Sequence, residues 1–319
     1  MLVRRDFSRS LPAAEPHAVT IGNFDGVHLG HQAILARMKA EAALRGIASC
    51  VVTFEPHPRE LFSPQAAPTR LTSLREKCEL LAEHGVQRIQ VLRFNRAFAS
   101  LSADEFIQQV LVDGLNAQWV MIGDDFRFGA KRGGDFAHLK AAGERFGFEV
   151  HAMPTVKSGN GADAVRVSSS TVREVLSAGD VERAARLLGR PYSISGRVVH
   201  GDKLGRVLGW PTANVEMRHN RPPLTGIYAV RVEGLGEFGK SGPLNAVASL
   251  GVRPTVTNSG LVKLEAYIFD FDEDIYGRHI RVDFLKKIRD EEKFADLETL
   301  KAQIAKDAED ARRFLENNA

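Results

Sequence analysis

The chain has 319 residues, 44% of them hydrophobic, with 43 basic and 40 acidic side chains for a net charge of +3. That is enough apolar material for two cores, while the interspersed charges give no nucleic-acid footprint and no run is long and apolar enough to cross a bilayer. Two cysteines, Cys50 and Cys78, supply neither a disulfide framework nor a zinc pattern, which fits a reducing cytoplasm.

Arg4-Arg5 begins like a twin-arginine export signal, but Asp6-Phe-Ser-Arg-Ser follows where an apolar stretch is needed. Next comes the most informative run, Val19-Thr-Ile-Gly-Asn-Phe-Asp-Gly-Val-His-Leu-Gly-His31. Its pattern predicts a buried strand over 18–21, a glycine turn over 22–26 and a helix from Gln32 to about Leu44. A helix N-terminus reached through glycines (Gly22, Gly26, Gly30) is an anion site, because unpaired N–H groups and the helix dipole converge there. His28 and His31 stand at that entry and can hydrogen-bond a phosphoryl group; alone, the spacing equally suits two capping histidines or half a metal site.

Further strands are expected at 47–54, 87–94, 119–122 and 148–152, alternating with helices, two of which open on Ser-x-x-Glu capping boxes at Ser73 and Ser102. Alternation of this kind predicts a parallel sheet covered on both faces, with ligands at the C-terminal ends of the strands. Two of those ends are unusual: Thr53-Phe-Glu-Pro-His-Pro58 followed by Phe62, and Gly123-Asp-Asp-Phe-Arg-Phe-Gly129 followed by Lys131-Arg-Gly-Gly-Asp135. Phe62, Phe126 and Phe128 offer flat faces to a flat ligand, unless they fold back on the core. Val167-Ser-Ser-Ser-Thr-Val-Arg173 then opens a helix to about Ser177, with hydroxyls suited to caps or to phosphate and a guanidinium one turn in.

An amphipathic helix over 179–188 ends at Gly189-Arg-Pro191, and the period changes from 3.6 to 2. The domain boundary is placed there, giving domains 1–188 and 189–319. Strand-like runs at 192–199, 226–232, 244–250, 262–269 and 279–284, separated by turn residues, predict an antiparallel barrel, followed by a charged amphipathic helix over 296–315. Within it, Gly201-Asp-Lys-Leu-Gly-Arg-Val-Leu-Gly-Trp-Pro-Thr-Ala-Asn214 reads either as a structural loop or as a phosphate-wrapping loop with hard oxygen donors on Thr212 and Asn214. Gly234-Leu-Gly-Glu-Phe-Gly-Lys-Ser241 satisfies the P-loop pattern, yet a strand-like run follows where a helix is required, so a hairpin connection is expected.

The first run resembles the nucleotidyltransferase signature in the form Gly-x-Phe-Asp-Gly-Val-His-x-Gly-His, and nearly the whole chain is similar to the FAD synthetase family of prokaryotic bifunctional riboflavin kinase/FMN adenylyltransferases. The resemblance implies a Rossmann-like adenylyltransferase domain and a riboflavin kinase barrel, with Mg²⁺ and ATP at both sites and riboflavin, FMN and FAD as substrates and products. It assigns transition-state stabilisation to His28 and His31. ATP binding in the first domain falls to Gly22, Asn23, Phe24, Asp25, Gly30, Ser169, Ser170 and Arg173, with Ser170 where threonine is usual. Flavin binding falls to Pro56, His57, Pro58, Phe62, Asp125 and Phe128. In the barrel, Gly201, Lys203, Gly205, Gly209, Pro211, Thr212 and Asn214 hold Mg-ATP, Thr212 and Asn214 ligate the metal, and Glu265 is the base; Trp210 replaces the more usual phenylalanine. Small-molecule partners alone are implied, a homo-oligomer being compatible with them. The alternatives are another phosphate acceptor in the first domain, or a flavin sensor with decayed sites.

Overall fold

The computed structural model describes residues 1–6, 15–159, 164–201, 205, 209–218, 221–236, 242–252 and 262–318. They form two compact units, one of 1–68 with 74–168 and one of 69–73 with 169–319. The division falls at Ser168/Ser169, ahead of the boundary at 188/189 read from the change of period.

The first unit contains β1 (Leu2–Arg5), β2 (His17–Ile21), α1 (Leu29–Arg45), β3 (Ala48–Glu55), α2 (Pro58–Phe62), α3 (Leu74–Glu83), β4 (Arg88–Arg93), α4 (Arg96–Ala99), α5 (Ala103–Phe106), β5 (Ala117–Gly123), α6 (Phe136–Phe146), β6 (Glu149–Met153), β7 (Lys157–Ser158) and β8 (Val165–Arg166). The sheet order is β1-β4-β3-β2-β5-β6 with every neighbouring pair parallel, as the alternating pattern predicts. The chain steps outward from β2 through β3 to β4, then returns to lay β5 on the other side of β2. Such a reversal opens a crevice at the C-terminal strand ends, because the loops leaving the two central strands part to opposite faces.

Both faces are covered, so the strands read as near-continuous apolar runs. Leu35 and Met38 of α1 and Leu81 of α3 pack on Val51, Ile89 and Trp119, while Phe106, Ile107, Leu111 and Leu139 pack on Val19, Val52 and Ile122 from the other face. Each such side chain contributes about 1.5–3 kcal/mol when fully buried. One polar cluster interrupts the sheet at its N-terminal edge. His17 Nδ1 donates to the Leu115 carbonyl (2.8 Å), leaving Nε2 to accept from Arg88 (3.3 Å), which also donates to Gln90 (2.9 Å). Burial lowers the His17 pKa and pushes the Cys50 thiol up to about 12.

The second unit begins with α7 (Ser169–Ser177) and α8 (Val181–Leu188), followed by β9 (Tyr192–Val199), β10 (Ala213–Met217), β11 (Gly226–Glu233), β12 (Leu244–Val252), β13 (Val262–Ile268), β14 (His279–Arg289) and α9 (Leu297–Asn317). The six strands close into a barrel in the order β10-β13-β12-β11-β14-β9, every pair antiparallel. α8 folds with this barrel: Val181, Ala184, Leu187 and Leu188 are buried, and Lys286 of β14 bonds Glu182 at 2.8 Å. α9 lays Ala308, Ala311 and Leu315 against Ala229, Val247 and Phe269 on the barrel's outer face. β11 and β12 pair directly, Val232 opposite Leu244, so the segment between them connects two strands; its residues 237–241 lie outside the described residues. The strand after it excludes the P-loop reading.

Candidate active sites

The turn after β2 takes the left-handed conformation at Phe24 (φ 48°), Gly26 (φ 82°) and Val27 (φ 40°). Two non-glycine residues held in that region, one of them β-branched, mark a backbone whose shape is fixed by its surroundings. The helix then starts at Leu29, three residues before the expected Gln32, which makes His28 the N-cap and places His31 within the first turn. His28 Nδ1 accepts from the His31 backbone N–H at 3.4 Å, so its proton sits on Nε2. The imidazoles stack with centroids 3.7 Å apart and planes 17° from parallel, and Phe24 closes on His31 at 4.8 Å. Burial, then the charges of His28 and Lys77, hold the His31 pKa well below the usual imidazole value. Near neutral pH His31 is therefore an uncharged hydrogen-bonding group, stiffened between two rings. The buried Nδ1 of His31 and Oδ1 of Asn23 have no hydrogen-bond partner among the described residues.

The histidines open into a cleft of about 1040 Å³ lined by the turns after β2, β3, β4, β5 and β6. Gly22, Asn23, Phe24, Gly30, His57, Pro58, Phe62, Asp125 and Phe128 all line it, as expected of a shared pocket. Asp25 and Pro56 are not part of the lining; Asp25 is buried. His57 caps α2 by accepting the Arg59 N–H on Nδ1 (3.2 Å), while its own N–H bonds Glu60 (3.1 Å). Phe62, 66% exposed, meets Phe94 edge-on at 5.8 Å. Phe54, Phe94, Phe98, Arg59 and Arg166 also line the cleft and were not singled out from sequence. Their signal is positional: Phe54 and Phe94 end parallel strands. Ser169 and Ser170 open α7, and Arg173 Nε donates to the Thr69 carbonyl (2.6 Å); all four residues belong to the second unit.

In the barrel, Asn214 of β10 lies directly opposite Glu265 of β13, which lies opposite Ser249 of β12. Directly opposed residues share a face, so the three side chains form a row. A Cβ at Gly201 would overlap the Asn214 amide, and one at Gly205 would overlap the Trp210 carbonyl and stand 3.2 Å from Thr212 Oγ1, so both positions need glycine. Gly209 adopts φ 89°, and Trp210, two residues before Thr212, meets Tyr267 edge-on at 5.1 Å. Lys203 lies outside the described residues.

Two family models match, FAD synthetase over residues 11–171 and riboflavin kinase over residues 188–315. The chain is 48% identical over 313 residues to the bifunctional riboflavin kinase/FMN adenylyltransferase of Escherichia coli K12, covering 98% of this chain and 97% of that one. It is 51% identical over 293 residues to the enzyme of that name from Pseudomonas fluorescens, covering 92% and 91%. The chain belongs to the bifunctional riboflavin kinase/FMN adenylyltransferase family. It is therefore an ATP-dependent enzyme that phosphorylates riboflavin to FMN and adenylylates FMN to FAD, so FMN is the acceptor of the first domain and the sensor reading falls away. A solved Streptococcus pneumoniae protein titled a macrolide-efflux protein is similar to this chain, with TM-score 0.78 and 31% identity over 98% of this chain and 99% of that one. Among the described residues of the present enzyme, no helix is long and apolar enough to cross a membrane.

Proposed function

We propose that adenylyl transfer takes place in the cleft of the first unit and riboflavin phosphorylation on the row of side chains beside the Gly201–Asn214 loop, with domains that function as 1–188 and 189–319. The observation that carries the first half is the stacked histidine pair at the N-terminus of α1, inside a cleft with an aromatic wall. A phosphate oxygen of FMN attacks the α-phosphorus of ATP and pyrophosphate leaves; no protein nucleophile is required. His28 donates from Nε2 and His31 from its free nitrogen to the α-phosphate oxygens, each such donor being worth about 2.7–4 kcal/mol where comparable donors have been removed. Gly22, Asn23, Phe24 and Gly30 shape the turn that receives the nucleotide; Ser169, Ser170 and Arg173 are assigned to its phosphates by the family resemblance, by virtue of their hydroxyls and guanidinium. His57, Pro58, Phe62, Asp125 and Phe128 face the flavin.

In the barrel, Glu265 accepts the proton of the riboflavin primary hydroxyl as it attacks the γ-phosphorus, and ADP leaves. Thr212 and Asn214 fit Mg²⁺ in donor type, being neutral hard oxygens, and in the close cradle that Gly201 and Gly205 leave around them. Bound there with ATP, Mg²⁺ screens the charge of the polyphosphate. The reading is tested by following riboflavin, FMN and FAD over time with ATP and Mg²⁺. His28→Ala should stop the reaction at FMN, and Glu265→Ala should make no FMN yet convert supplied FMN to FAD. Loss of both steps in either variant defeats the two-site assignment.

A further inference from the structure

The cleft of the first unit holds more positive charge than its carboxylates neutralise, and the surplus is concentrated at one place. Arg166 bonds Asp125 at 2.6 Å and Arg127 reaches Asp135 at 3.5 Å, while Asp124 accepts from the Thr155 hydroxyl at 3.2 Å. Lys131 and Arg132 also line the cleft and are exposed; the Arg132 backbone N–H donates to the Gly129 carbonyl (3.0 Å), while the side chains of both make no hydrogen bond or ion pair with any described residue. Both are held in the left-handed region, at φ 53° and 60°. Neither is a glycine, so this conformation is strained and persists only where neighbours impose it.

The neighbours are identifiable. Ala130 N–H donates to the Leu101 carbonyl (2.7 Å), and Phe128 and Gly134 exchange both backbone hydrogen bonds (3.1 and 2.9 Å). A Cβ at Gly129 would come within 2.7 Å of the Ala103 nitrogen, so the loop lies directly on the start of α5. Two adjacent cations are thus fixed in direction by a clamped backbone, three and four residues beyond Phe128.

We propose that Lys131 and Arg132 form the subsite for the phosphate of the acceptor flavin and set the preference of this domain for FMN over riboflavin. Three residues of chain reach at most about 10 Å, enough to match a ribityl chain leading from a ring beside Phe126 and Phe128 to its terminal phosphate. A dianion recognised by two cations is rejected when reduced to a hydroxyl, because the paired charge is then lost. The subsite rests on the flavin placement proposed above, so its test separates the two.

The experiment uses the full chain and measures KM for FMN and for ATP in FAD formation, together with riboflavin phosphorylation as a check on folding. Affinity for FMN and riboflavin is read with His28→Ala in the background and Glu265→Ala to block the barrel reaction. Lys131→Ala with Arg132→Ala should raise KM for FMN at least tenfold, leave KM for ATP within twofold, and leave riboflavin affinity of the cleft unchanged; Lys131→Arg should recover most of the loss. An unchanged KM for FMN, a matching rise in KM for ATP, or equal loss of FMN and riboflavin affinity overturns the subsite. Phe126→Ala should weaken both flavins alike. If it weakens neither while the double variant still loses FMN selectively, the ring placement is wrong and the phosphate subsite stands.

Discussion

The two units solve phosphate chemistry with opposite architectures. The parallel-sheet unit gathers its groups on loops at the strand ends, where a helix dipole, a strained turn and two stacked rings do the positioning. The barrel instead mounts Asn214, Glu265 and Ser249 side by side on three hydrogen-bonded strands, with Gly201 close against the Asn214 amide. The first arrangement depends on local backbone shape, the second on the integrity of a whole sheet. Disturbances should therefore propagate differently: within the first unit they alter substrate fit, and within the second they remove the site outright.

The strongest way to break that contrast is to loosen the barrel from its terminal helix. Arg289 of β14 bonds Asp307 of α9 through Nε at 2.9 Å and Nη2 at 2.7 Å, Gln303 adds a third bond at 2.8 Å, and the Asp307 side chain is only 5% exposed. Asp307→Ala leaves a largely buried guanidinium without its carboxylate, the bond to the Asp290 carbonyl (2.8 Å) remaining, at a cost of about 3–5 kcal/mol. On heating, the variant should lose riboflavin phosphorylation well before it loses FAD formation from supplied FMN. Simultaneous loss would mean that the two units are not separately vulnerable.

Gly201→Ala probes the same unit at its loop. The new methyl must displace the Asn214 amide or the loop itself, and a misplacement of order 1 Å at a reacting constellation costs about 10²-fold in rate. Kinase turnover should fall by that factor with the melting temperature little changed, and adenylyl transfer should be unaffected. A fall of less than threefold would show that the amide is not held by this approach.

Much of this was legible in the sequence, and the exceptions have physical causes. β9 is legible to its ends because the apolar residues Tyr192, Ile194 and Val198 fall on alternate positions, and Ser102 and Glu105 form the capping box that their spacing announces, at 3.1 and 2.7 Å. β1 is an exposed edge strand, Leu2 being 48% and Val3 43% exposed, so no apolar alternation betrays it. β10 is hard to read because its five residues follow directly on Pro211-Thr212 at the end of a glycine-rich stretch, which reads as loop. The start of α1 at Leu29 is masked in the sequence because histidine is an uncommon cap and Gly30 sits in the first turn. The aromatic wall was half seen: Phe62 and Phe128 announce themselves through odd loops, whereas Phe94 and Phe98 look like ordinary core until the sheet order puts them beside the cleft.

Acid should separate the units by a smaller margin. His17 and His31 both have folded-state pKa values below the unfolded value near 6.5. As pH falls through 6.5 the unfolded chain takes up protons that the folded first unit refuses, so its stability declines until the lowered values are reached. Asp283 in the barrel works in the opposite sense: burial raises its pKa, so protonation favours the folded form as the solution is acidified. Heat inactivation at pH 5.5 compared with 7.5 should bring forward the loss of FAD formation more than that of riboflavin phosphorylation, with His17→Gln reducing the difference. An equal shift of both activities would exclude the histidines as the cause.

The smallest expected effect tests how local the first site is. Ser102 caps α5, and the loop bearing Lys131 and Arg132 lies on the first residue of that helix. Ser102→Ala removes one cap, worth about 1 kcal/mol. Were the cap only a contribution to overall stability, the variant would bind FMN normally at temperatures where it remains folded. Because Leu101 and Ala103 on either side of it anchor Ala130 and Gly129, fraying at the cap also loosens the clamp on the two cations. KM for FMN should then rise by a factor of up to about five, the equivalent of 1 kcal/mol, with KM for ATP unchanged. A melting temperature lowered without any change in KM would confine the cap to stability, and would leave the left-handed backbone at 131 and 132 fixed by the Phe128–Gly134 pairing alone.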